Sequence, residues 1–87
     1  MYGDIEVARQ GDAGRGPYSV LFRPFNQAAA SGQSHTLANE EALKAFLHTL
    51  GLPDSEISKL SAGLEGFASC WVRTLVPTAT LKQYRLI

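Results

Sequence analysis

The side chains of this chain that could do chemistry are few and widely spaced. One cysteine, Cys70, and two histidines, His35 and His48, are its whole supply of thiol and imidazole. A thiol nucleophile needs a base beside it, and a zinc site needs three or four ligands at matched spacings. These three residues have no paired spacing, so neither a catalytic thiol nor a metal centre is expected, and no cofactor is expected either. Cys70 alternates with Val72 and reads as a small buried hydrophobe. His48 lies two positions from both Phe46 and Leu50 and so turns away from their apolar stripe. Glu40 and Glu41 are neighbours on a helical pattern, which splays them apart. They are better placed to meet a helix dipole than to work as an acid–base pair.

Two longer stretches have the outline of a ligand-binding motif. GDAGRG, residues 11–16, has glycines that could cradle a phosphate. A P-loop, however, continues Gly-Lys-Ser/Thr into a helix, whereas Gly16-Pro17-Tyr18 leads into a strand; the dinucleotide fingerprint fails for the same reason. LKAFLHTLGLPDSEISKL, residues 43–60, has the apolar spacing of a helix-turn-helix. Phe46, Leu50, Leu52, Ile57 and Leu60 are the positions that would lock two helices around Gly51. The chemistry is missing. A reading helix must neutralise phosphates, and SEISKLSAGLEG offers Glu56 and Glu65 against the single Lys59. It also lacks the Arg, Asn and Gln that read base edges. The expectation is two helices covering a sheet.

The elements that must position these residues follow from periodicity. DIEVARQ, residues 4–10, places Ile5 and Val7 on one side and Glu6 and Ala8 on the other, the alternation of a half-buried strand. YSVLFRP alternates in the same way, with Tyr18, Val20 and Phe22 against Ser19, Leu21 and Arg23. With the loop between them, residues 4–23 read as an antiparallel hairpin. SHTLA can add a short third strand. Asn39 is placed to cap a first helix, whose stripe is Leu43, Phe46, Leu47 and Leu50 and whose stop is Gly51. Asp54 is expected to cap a second, with Ile57, Leu60 and Leu64 inward. Within it Gly63 costs about 1 kcal/mol relative to alanine, and Gly66 can end it. SCWVRTLV, closed by Pro77, is a further strand. TATLKQYRLI fits either a short helix or an irregular edge.

The totals set the scale. Eighty-seven residues make a single domain, 1–87, and 45% hydrophobic residues are enough for a core without disulfides. One cysteine permits no internal disulfide. No leader pattern or membrane-length apolar run is present, so a cytoplasmic location is expected with no membrane partner. Eight basic and eight acidic residues cancel, which disfavours indiscriminate nucleic-acid binding. The acids gather in the helices, and residues 67–87 hold Arg73, Lys82 and Arg85 with no acid.

The fold class expected is therefore α+β: a three- to four-stranded, mainly antiparallel sheet with two helices on one face. Two helices cover one face only. Leu21, Arg23, Trp71, Arg73 and Leu75 would then look outward, and Trp and Arg are enriched at binding hot spots. Such a patch calls for a partner, most simply a second copy in a homodimer or else another protein, unless the tail 78–87 folds over it. NEEALKAFLHTLGLPDSEISKL between a hairpin and a strand resembles short bacterial proteins of mobile-element type, carried on integron cassettes or phages. The resemblance implies a small α+β module without known catalysis and assigns no functional residue. The leading functional expectation is a non-catalytic protein-binding or assembly module. A second is a nucleic-acid binder using Arg9, Arg23, Arg73, Lys82 and Arg85, with Trp71 as a stacking platform. A third is a small enzyme with a pocket between sheet and helices.

Overall fold

Alternation in the first third of the chain builds the middle of a sheet. The structure, a computed structural model, describes residues 1–11, 16–30 and 32–87. The reading of GDAGRG as a loop falls largely on residues 12–15, outside the described residues, as does Ser31 in AAASGQS. Strands β1 (Tyr2–Arg9) and β2 (Tyr18–Pro24) pair antiparallel, with Ile5 opposite Phe22 and Val7 opposite Val20. The short β3 (His35–Leu37) lies against β2, and β4 (Ser69–Leu75) lies against the other side of β1. The result is a four-stranded antiparallel sheet in the order β3-β2-β1-β4, the upper end of the expected three to four strands.

The helices form where capping and apolar spacing require. α1 (Glu40–Thr49) starts at Asn39, which has extended backbone and accepts a 2.8 Å hydrogen bond from the Ala42 N–H. It buries Leu43, Phe46 and Leu47, and Gly51 follows it at φ 96°, the left-handed conformation that glycine adopts without steric cost. α2 (Asp54–Gly66) buries Ile57, Leu60 and Leu64. Its start departs from expectation. Pro53 occupies the capping position and no side chain caps the helix, because the Asp54 carboxylate is inside the first turn, where it meets the His48 imidazole across the turn.

Both helices lie on one face of the sheet. Their apolar rows share one core with Ile5, Val7, Tyr18, Val20 and Phe22 of the central strands. Gly63 makes this approach close where α2 crosses β4. A methyl group there would come within 2.5 Å of the Cys70 Sγ. The residue that looks only like a weak point in the helix therefore gives α2 its room above β4.

The tail is helical over its first part: α3 (Thr78–Gln83) buries Leu81, and beyond it Leu86 is buried too, both in the same core. The chain then reaches the opposite edge of the sheet. There Tyr84 packs edge-on against Phe46 and His35, at 5.0 and 5.7 Å between ring centroids, and the Gln33 N–H donates to the Arg85 carbonyl. The tail thus closes the helix side of the sheet and leaves the other face open. Among the described residues no helix is long and apolar enough to cross a membrane.

Asn39→Ala should lower stability by about 1 kcal/mol, read as an earlier urea midpoint with unchanged slope. Gly63→Ala should also destabilise, despite its better helix propensity, because of the Cys70 contact. In a Cys70→Ala background the sign should reverse, and the double-mutant cycle of urea midpoints measures that coupling.

Candidate functional site

Alternation forces every second residue of the three long strands onto the helix-free face. The register then sets their neighbours. Glu6 sits between Leu21 and Trp71, Asp4 between Arg23 and Arg73, and Ala8 between Ser19 and Ser69. All five expected surface residues, Leu21, Arg23, Trp71, Arg73 and Leu75, lie on this face. They do not form one apolar patch. The carboxylates of β1 run between the β2 pair and the β4 trio and hold both arginines.

Arg73 Nε–H donates to Asp4 Oδ1 at 2.8 Å and its Nη2 to Oδ2 at 3.3 Å, a two-pronged pair. Arg23 Nη2 donates diagonally to Glu6 Oε2 at 2.9 Å. The hydrogen bond from Arg73 is the chief cause that holds the Asp4 carboxyl below its ordinary value; burial opposes it, and the charges of Arg73 and Arg23 reinforce it. Asp4 and Glu6 were the missing half of the sequence reading. The signal was present in DIEVARQ, since the alternation that sends Ile5 and Val7 inward sends Asp4 and Glu6 outward, beside the arginines of an antiparallel neighbour.

The apolar exposure is concentrated at the β4 side and one end. Trp71 is 59% exposed and Leu75 69%, so a tail laid over this face does not describe the fold. Leu21, on the far side of Glu6, is half-buried. Tyr2 and Phe25 join the exposed group with their rings edge to face at 5.5 Å, and the Arg73 guanidinium lies 5.0 Å from the Phe25 centroid and 5.7 Å from that of Trp71. These aromatic–cation contacts hold Arg73 in place while leaving the rings in water. Tyr2 and Phe25 escaped the sequence reading because β1 begins two residues before Asp4, which extends the register to the pair Tyr2–Phe25.

The cations of the nucleic-acid reading do not share a surface. Arg23 and Arg73 are paired on the open face. Arg9 ends β1 on the alternation that faces the helices, while Lys82 and Arg85 belong to the tail on the helix side. The layer between sheet and helices, where a pocket was expected in the third reading, is packed with buried apolar side chains. A shallow depression of about 130 Å³ lies instead on the open face, around Ala8, Ser19, Leu21, Ser69 and Trp71. That is below the roughly 300–1,000 Å³ of small-molecule sites. Among the described residues, no cluster of three or more His, Cys, Asp or Glu side chains could hold a metal ion. No family model, curated protein or solved structure matches the chain.

The depressed Asp4 value has a definite pH consequence. The unfolded chain binds the proton first as pH falls, so the contribution of the Asp4–Arg73 pair is complete above the ordinary carboxylate range. It is lost on descending through the lowered native value. Asp4→Asn should therefore be less stable than the parent at pH 7, and the two should converge as pH falls below the ordinary carboxylate range. Glu40, lowered chiefly by its hydrogen bond from Ser61, contributes equally to both proteins and cancels in the comparison. Urea midpoints measured across this range test the convergence.

Proposed function

We propose that the chain is a small non-catalytic assembly module that binds a second copy of itself through the β4 side of its helix-free face, with Trp71, Arg73 and Leu75 at the centre. The observation that carries this reading is the placement of its large exposed apolar side chains. Tyr2, Phe25, Trp71 and Leu75 share that face, while the exposed Met1 and Phe67 lie just outside the strands, and the core accounts for the other long apolar rows. Trp beside an oriented Arg is the composition of an interface centre. The balanced charge removes the long-range repulsion that would oppose two copies meeting. The free thiol of Cys70 suits a reducing compartment, and we place the module in the cytoplasm.

Charge placement disfavours the nucleic-acid alternative, since two of its five cations are neutralised and the other three lie away from the open face. The pocket alternative is disfavoured by the buried apolar side chains that fill the layer between sheet and helices.

Light scattering of the full chain should return twice the mass of 9.4 kDa at micromolar concentration. Trp71→Glu, at an exposed position, should still fold when diluted, with a urea midpoint lowered modestly by the new carboxylate opposite Glu6, and return the monomer mass. A monomer mass for the parent at all concentrations, or a dimer unaffected by Trp71→Glu, would refute the reading.

A further inference from the structure

The middle of the open face does not favour back-to-back docking, which leaves its β4 side as the place of contact. Laying two copies together over it would desolvate the Asp4–Arg73 and Glu6–Arg23 pairs, and burying ion pairs costs about as much as their attraction returns. The edge of β4 presents a different surface. Among the described residues, β4 has β1 on one side and no strand on the other. The Met1 N-terminal ammonium donates to the Val76 carbonyl and the Val76 N–H donates back to Met1, while the Arg9 N–H donates to the Ala68 carbonyl. By antiparallel alternation, the even-numbered residues of β4 therefore turn their backbone groups to β1. Ser69, Trp71, Arg73 and Leu75 turn theirs outward.

Natural edge strands are usually blunted by lysines, an internal proline, a bulge or brevity. β4 has seven residues and none of these devices. Its one charge, Arg73, is already held by Asp4.

We propose that two copies join by antiparallel pairing of β4 with β4 about a two-fold axis through Val72, making one continuous eight-stranded sheet. This rests on the self-association proposed above and specifies its geometry. The register is selected by three features of the strand. Val72 is the midpoint of Ser69–Leu75, so this alignment satisfies every outward N–H and C=O of the strand. It sets Trp71 opposite Arg73 of the second copy, and Arg73 opposite the other Trp71, so each guanidinium meets a second indole face across the seam while keeping Asp4. It also brings Phe67, extended and 70% exposed, opposite Pro77 of the second copy. On the helix side, Val72, half-buried in one copy, meets its own symmetry mate at the closer, non-hydrogen-bonded spacing. The ion pairs of the open face stay in water.

Hydrogen exchange on the unmodified chain tests the pairing directly. The amides of Trp71 and Arg73 should exchange at least tenfold more slowly at high than at low protein concentration. The covalent test uses Val72→Cys in a Cys70→Ala background, because a Val72 pair on the axis falls within disulfide reach. Mild oxidation should give a reducible covalent dimer, and Thr74→Cys in the same background should not. A dimer mass with concentration-independent exchange at Trp71 and Arg73 would overturn the edge pairing while leaving self-association intact. Cross-linking through Thr74→Cys in preference to Val72→Cys would overturn the register. A monomer at every concentration would remove both readings.

Discussion

The structure depends on β1 being paired on both sides. A strand with two neighbours exposes neither edge, so its side chains must be divided between two faces by alternation alone. In β1 that division is between Ile5 and Val7, both fully buried, and Asp4 and Glu6, both on the open face. The inner pair anchors the core on which all three helices converge. The outer pair fixes the two arginines of the flanking strands. A slip of one residue in either ladder would put carboxylates in the core and isoleucine in water, so the same constraint sets the register on both sides.

The character of the open face follows from this. Surface ion pairs add little stability individually, yet here they occupy the middle of the face and separate Leu21 from Trp71 and Leu75. They keep the centre hydrated and confine the apolar exposure to the β4 side. An edge strand beside such a face favours a partner that completes the sheet over one that covers it. In the dimer proposed above, backbone pairing would supply the attraction, and Trp71 and Arg73 the register. The face and the edge are thus two aspects of one surface, with Asp4 holding Arg73 where both meet.

Much of the fold was legible because it rests on local rules. Asn39 capping α1, Gly51 stopping it and the alternation of Tyr18–Phe22 each depend on neighbours within a few residues. The start of α2 was read less well, because the Asp54 side chain is drawn to His48, a partner supplied by the preceding helix. The tail could not be assigned from its own residues. Thr78–Gln83 has weak helical patterning, and its conformation is decided by the burial of Leu81 and Leu86 against a core made elsewhere. Gly63 was read as a cost because the Cys70 sulfur that requires it arrives from another strand.

By itself, the sequence determined the inward and outward lists: which side chains share the core, and that Leu21, Arg23, Trp71, Arg73 and Leu75 share the opposite face. Periodicity carries that information, since the two sides of a strand are defined along the chain. Only the tertiary structure decided who stands beside whom on that face. Strand order and register bring Asp4 between the arginines and Glu6 within reach of Arg23, add Tyr2 and Phe25 to the exposed group, and, among the described residues, leave β4 at the edge of the sheet. Those relations join residues far apart in the chain, 69 positions in the case of Arg73 and Asp4. Spacing along the chain has no means of encoding them until the ladders form.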